Sequence, residues 1–226
     1  MRIKESHNGF ISEIRDRQIT QLIHFTPTIN LLSIFEQGKL MSRALLEKFD
    51  IEQTDIFDYI EFTDNVRYDD KSFINLSIQH PNTFLFRRFL QKTTDRMYLK
   101  WCVIKIDPSL IYHEDTKFSV TNAANSHNKR LIGISGDLQK FKAMFSENLT
   151  VVTTTGSRNL SRRDLKPKYP TDEQAEVLVK DEIPIANFLE ISFETKQDLA
   201  EARAALVGYD TRLFKVDPEV FKNDRK

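Results

Sequence analysis

Thr171-Asp-Glu-Gln-Ala-Glu-Val-Leu-Val-Lys180 is the stretch from which the fold is read. Val177, Leu178 and Val179 form a short apolar run, mostly β-branched, which predicts a buried strand. Gln174 and Glu176 stand two residues apart, so on an extended backbone they point to the same face. An amide and a carboxylate are then presented side by side at the mouth of a strand. Just upstream, Ser157-Arg-Asn-Leu-Ser-Arg-Arg-Asp-Leu-Lys-Pro-Lys-Tyr-Pro170 carries Arg158, Arg162, Arg163, Lys166 and Lys168 against one acid, Asp164. The pattern alone is also satisfied by a solvated loop followed by an acid on an edge strand.

The rest of the composition bounds what such a strand can serve. With 226 residues, 40% hydrophobic and 29% charged, the chain can bury a full core and has the balance of a soluble globular protein. Its 33 basic and 33 acidic residues cancel, so binding to nucleic acid must come from a local patch and not from a global field. The single Cys102 lies in an apolar run and reads as a reduced core residue, which leans towards a cytoplasmic location. No apolar run approaches 18 residues, and residues 1–6 lack the apolar core of a signal peptide, so no membrane partner is expected.

Leu22-Ile-His-Phe25 predicts a short strand stopped by Pro27, followed by a helix capped by Thr28, running to Gln37 and ended by Gly38. His24 in that strand is either a hydrogen-bonded core histidine or a ligand group. Residues 39–70 are mixed, and Asp50–Asp58 is too acidic to bury. Further strands are predicted at Phe73–Ile78, Met97–Asp107, Phe188–Phe193 and Arg212–Val216. Helices are predicted at Thr83–Gln91, Asp137–Phe145 and Thr195–Leu206, the last opened by a cap at Thr195 with Asp198 three residues on. Phe118–Ala124 reads as a short extended piece entering a small-residue turn, and residues 222–226 as a frayed tail. Strands and helices mix without regular βαβ alternation, which predicts a single α+β domain over residues 1–226 with largely antiparallel sheets.

Five scattered histidines and one cysteine offer no metal cluster, and six glycines include no P-loop, dinucleotide fingerprint or nucleophile elbow. What remains is ordered and dispersed. Leu22-Ile-His-Phe-Thr26 precedes Asn30-Leu-Leu-Ser-Ile-Phe-Glu-Gln-Gly38; then come Phe73-Ile-Asn-Leu-Ser-Ile-Gln-His-Pro-Asn82, Phe118-Ser-Val-Thr-Asn-Ala-Ala124 and Gln174-Ala-Glu-Val-Leu-Val179. In that order these segments, from about residue 18 to 190, resemble the ADP-ribosyltransferases, and most closely the DarT-type nucleic-acid ADP-ribosyltransferases, the toxins of DarT–DarG systems. Asn75-Leu-Ser-Ile78, Phe84 and Ser119-Val-Thr121 depart from the family's usual residues, which bears on the identity of the modified base.

The resemblance implies an ADP-ribosyltransferase-like fold of split, largely antiparallel sheets flanked by helices, with NAD as co-substrate. It implies transfer of ADP-ribose to a base in single-stranded DNA, in a toxin or phage-defence setting with a cognate antitoxin as partner. RNA is the alternative acceptor; a catalytically silent binding module is the alternative from another class. By the same resemblance Glu176 stabilises the positive charge developing on the ribose and takes the acceptor's proton, and Gln174 reads the acceptor base. His24, Phe25, Thr26, Asn30, Arg67, Asn75, Leu76, Phe84 and Phe86 form the NAD site, with Arg67 on the pyrophosphate or the substrate and the two phenylalanines near nicotinamide. Asn122, Arg158, Arg162, Arg163, Lys166, Lys168 and Tyr169 hold the strand, Tyr169 by stacking.

Overall fold

In the computed structural model, which describes residues 2–53, 70–95, 99–125, 132–153, 156–222 and 225, the chain runs through α1 (His7–Asp16), β1 (Leu22–Pro27), α2 (Asn30–Gln37), β2 (Lys39–Met41), α3 (Arg43–Phe49), β3 (Phe73–Ile78), α4 (Thr83–Thr93) and β4 (Trp101–Ile106). It continues through β5 (Lys117–Ser119), α5 (Leu138–Ala143), β6 (Asn148–Thr153), β7 (Gly156–Ser161), β8 (Glu176–Lys180), β9 (Glu182–Pro184), β10 (Phe188–Phe193), α6 (Lys196–Ala205) and β11 (Phe214–Val216). A seven-stranded sheet in the order β11-β10-β4-β1-β3-β8-β5 is flanked by the helices. Its pairs are antiparallel except β10 with β11. The α+β class and the antiparallel character are those expected from the sequence.

Alternation along the strands sends side chains to two cores. Leu22, Cys102, Ile104 and Ile106 join Phe10 of α1, Leu31 and Ile34 of α2 and Phe141 of α5 on one face. Ile23, Trp101 and Val103 meet Phe86 and Phe89 of α4 on the other. Each fully buried aliphatic or aromatic side chain contributes about 1.5–3 kcal/mol, so these faces fix which way every strand turns. Burial also pushes the Cys102 thiol up and keeps it protonated.

The expected split is a partial one, and it matters for function. β3 changes partner halfway: Phe73–Leu76 pair with β8, whereas Ser77 and Ile78 pair with β1. Beyond Ile23, β1 stays on β4 and leaves β3, opening a wedge between His24–Pro27 and Phe73–Leu76. The closed end is stapled by Gln79, whose Oε1 accepts from the backbone N–H of Thr20 at 2.6 Å and of Gln21 at 2.9 Å. Gln79 holds φ 65°, an uncommon backbone for its type, offset by those bonds.

Several local expectations need correcting. Strand β8 begins only at Glu176; residues 172–175 form a turn closed by Ala175 N–H to the Asp172 carbonyl at 3.1 Å. Gln174 is therefore off the strand, and the same-face argument does not apply to it. The first five residues of the predicted basic loop, Ser157–Ser161, belong to β7, which pairs with β6 and has no apolar alternation of its own to signal a strand. Thr28 does not cap α2, whose N-cap is Ile29 without a side-chain bond; Gly38 does end it, at φ 67°. The tail is held at Arg225, which donates to the Pro170 carbonyl and lies 5.6 Å from the Tyr169 ring centre.

Candidate active site

The wedge is a cleft of about 350 Å³, within the range of small-molecule sites. From β1 it is lined by His24, Phe25 and Thr26, from β3 by Asn75, Leu76 and Ser77, and from the start of β8 by Glu176. Asn30, the first residue of α2, donates from Nδ2 to Thr26 Oγ1 at 3.0 Å, which fixes both side chains at the entrance. Asn122 and Ala124 close the side next to Glu176.

Glu176 is 6% exposed. Its Oε2 accepts the backbone N–H of Ala123 at 2.7 Å. The 122–125 turn that supplies this donor is itself set by Asn122 Oδ1, which accepts from Ala124 N–H at 2.9 Å. Asn125 then reaches the Val152 carbonyl with Nδ2 at 2.9 Å, tying the turn to the β6–β7 hairpin. The carboxylate is thus on the floor of the cleft, not at its mouth, and is aimed by a backbone donor.

His24 spans the split. Its Nδ1 lies 3.3 Å from the Asn75 carbonyl, and burial pulls its pKa down to about 4. A carbonyl only accepts, so the neutral ring carries its proton on Nδ1 and keeps Nε2 as an acceptor. Phe25 belongs to an aromatic stack with Phe86, 4.6 Å between ring centres, and Trp101. That makes one wall rigid.

Not every expected residue is here. Phe86 is buried behind Phe25 in the core, and Phe84 is 49% exposed on the outer face of α4; neither lines the cleft. Leu85 does, because successive helical residues lie about 100° apart and of these three it alone faces the cleft, Phe86 facing the core and Phe84 the outside. Arg67 lies outside the described residues. Gln174 does not line the cleft, and its backbone N–H donates to Asp172 Oδ1 at 3.0 Å.

The basic segment is partly consumed by the fold. Arg162 is 7% exposed and donates to the carbonyls of Tyr169 at 3.1 Å and of Lys166 and Pro167 at 3.3 Å. Arg158 reaches Asp172 at 3.2 Å. Tyr169 is buried at 8% and is not presented for stacking. Arg163 and Lys166 remain exposed, and Lys168 lies 5.3 Å over the Tyr169 ring.

The sequence reading missed the far rim, built from Met41, Ser42, Arg43, Leu46 and Gln53. The signal was present: Ser42 caps α3 by accepting from Leu45 N–H at 3.4 Å. It also missed Asn82, which caps α4 through Oδ1 to Leu85 N–H at 3.1 Å. That bond fixes the amide's orientation and leaves Nδ2 buried at the cleft wall with no hydrogen-bond partner among the described residues.

Solved structures share this fold. Thermus sp. 2.9 DarT in complex with carba-NAD+ aligns over 90% of this chain and 98% of its own, at 14% identity and TM-score 0.57. Thermus sp. 2.9 DarT in complex with ADP-ribosylated ssDNA aligns over 91% and 97%, at 12% identity and TM-score 0.57. Thermosipho africanus DarTG in complex with ADP-ribose aligns over 89% of this chain at 16% identity and TM-score 0.54. This chain spans about half, 51%, of that one. No curated protein matches the chain. The family model described as "ssDNA thymidine ADP-ribosyltransferase, DarT" matches residues 23–222, and the chain belongs to that family.

Proposed function

We propose that the wedge between β1, β3 and β8 binds NAD and transfers its ADP-ribose to a thymine of single-stranded DNA, with Glu176 as the catalytic residue. One observation carries this reading: a carboxylate 6% exposed, fixed by the Ala123 N–H, on the floor of a cleft whose opposite wall holds His24. When the glycosidic bond of NAD breaks, nicotinamide departs with the bonding pair and positive charge develops on the ribose. A fixed carboxylate beside that ribose stabilises the charge without reorganising. In thymidine N1 carries the sugar, so N3 is the ring nitrogen with a proton to lose. Glu176 accepts that proton as N3 attacks the ribose carbon.

His24 Nε2 accepts a hydroxyl of the adenosine ribose, while Thr26 and Asn30 shape the entrance. Arg43 lies on the rim, and in this reading its guanidinium meets the pyrophosphate. Phe25 and Leu85 flank the nicotinamide ring, and Asn82 Nδ2 is a donor for its carboxamide. Gln174, in the turn that leads into Glu176, contacts the acceptor base at the mouth. One transferase domain carries all of these groups. The setting is a cytoplasmic toxin held by an antitoxin of the kind paired with DarT in DarTG. Among the described residues no helix is long and apolar enough to cross a membrane.

The test is mass spectrometry of thymine-containing DNA and matched uracil-containing RNA strands after incubation with the protein and NAD. A gain of one ADP-ribose on DNA is expected. A gain on RNA alone moves the acceptor class, and no gain on either with no NAD consumed overturns the reading.

A further inference from the structure

Two of the five cations predicted to grip the strand, Arg158 and Arg162, are engaged within the fold, which leaves open how a polyanion reaches the cleft. The outer face of α4 answers this. Its buried side carries Phe86, Phe89 and Thr93. Its opposite side carries Phe84, Arg87, Arg88, Gln91 and Lys92, which at 100° per residue fall within one stripe. No aspartate or glutamate occurs between residues 83 and 94. None of Arg87, Arg88 and Lys92 has an acidic partner among the described residues, whereas Arg158 of the hairpin is paired with Asp172. In a chain of zero net charge this is a local positive stripe.

The stripe begins at the site. Asn82 and Leu85, in the first turn of α4, line the cleft, and Thr83 donates to Glu173 in the turn that carries Gln174. Phe84 stands between them, 49% exposed. Arg88, one turn on, lies 5.7 Å over its ring. A large exposed aromatic braced by a guanidinium offers a flat platform at the mouth of a cleft that must admit one base.

We infer that the outer face of α4 is the docking track of the single-stranded DNA: Phe84 stacks on the base next to the one entering the cleft, and Arg87 and Lys92 take phosphates. The inference rests on the proposed reading of the cleft and adds the path of the strand. It also gives Phe84 a role outside the NAD pocket.

The experiment is a salt titration of binding between the whole protein, without NAD, and a fluorescein-labelled thymine-containing single strand. Each phosphate contact contributes about 0.7 to the slope of log affinity against log salt, so Arg87→Ala/Lys92→Ala flattens it by roughly 1.4. Alanine suits exposed helix positions, so melting temperature and NAD hydrolysis without DNA stay at wild-type values. Phe84→Ala weakens binding about tenfold at unchanged slope, and Phe84→Trp restores it. An unchanged slope in the α4 variant, with flattening in Arg163→Ala/Lys166→Ala instead, overturns the track and places the strand beside the hairpin while leaving the reaction intact. Wild-type protein that neither binds nor modifies any strand overturns both.

Discussion

Glu176 and Arg162 are both charged, both nearly excluded from solvent, and only 14 positions apart, yet they sit in regions of opposite character. Around Arg162 the loop 163–170 folds back and points its carbonyls at the guanidinium, so the charge is compensated within the protein. Around Glu176 the sheet parts, the Ala123 N–H helps to orient the carboxylate, and a cleft lies in front of it. Burying a charge costs several kcal/mol unless partners replace the water. In the first region those partners are the chain's own; in the second the arrangement leaves space for a ligand. A buried charge that opens onto a cavity is the one to test for chemistry.

The contrast breaks most sharply on a conservative change. Glu176→Gln keeps the shape and an acceptor for Ala123 N–H but removes the charge. Transfer to single-stranded DNA should fall about 100- to 1000-fold, with the urea midpoint almost unmoved. Near wild-type transfer by mass spectrometry would mean the cleft carboxylate is structural after all. Arg162→Ala should do the reverse: about 3 kcal/mol of stability lost, because the three carbonyls that bend residues 166–169 around the guanidinium lose their common donor, while NAD hydrolysis per folded molecule is preserved. If urea unfolding is unchanged and only DNA affinity drops, Arg162 belongs to the strand interface.

His24 tests the cleft from its other wall. Its pKa near 4 in the folded chain lies below the 6.5 of an unburied histidine. Between those values the unfolded chain binds a proton that the folded one refuses. Stability is therefore full above pH 6.5 and declines as pH falls towards 4, by up to about 1.4 kcal/mol per pH unit. Urea unfolding across that window should show the decline in wild type and a flatter line in His24→Gln. Calorimetry should find NAD bound about tenfold more weakly by that variant, the loss of one hydrogen bond to a ribose. Normal NAD affinity with the pH effect gone would make His24 a purely structural bridge between β1 and β3.

The smallest effect concerns the turn before β8. Since Gln174 does not line the cleft, Gln174→Ala should lower transfer to thymine only a few-fold, about 1 kcal/mol, at unchanged NAD hydrolysis without DNA. A loss as deep as that of Glu176→Gln would show that the turn closes onto the cleft during the reaction.

Periodicity and capping alone located most of what surrounds the cleft. β-branched runs placed Phe73–Ile78 and Phe188–Phe193 at the bounds observed, and the apolar Val177–Val179 placed β8. Gly38 ended α2 and Thr195 opened α6, because left-handed backbone and a hydroxyl cap are local requirements. The ordered segments around His24, Asn75, Asn122 and Glu176 were likewise visible, and all four residues line one cleft. The tertiary structure alone decided the rest. A run of cations has the same composition whether solvated, paired with Asp172 or enclosed by carbonyls, and only the path of residues 162–170 separates these fates. β7 is polar apart from Leu160, so nothing in its own alternation distinguishes strand from loop. The partner change of β3 between Leu76 and Ser77 depends on pairings with residues 54 and 101 positions away in the chain, Ser77 with Ile23 and Leu76 with Val177. That exchange opens the wedge, and it brings a histidine from residue 24 and a glutamate from residue 176 to walls of one cleft. Local sequence encodes the strands; the contest between their long-range pairings makes the site.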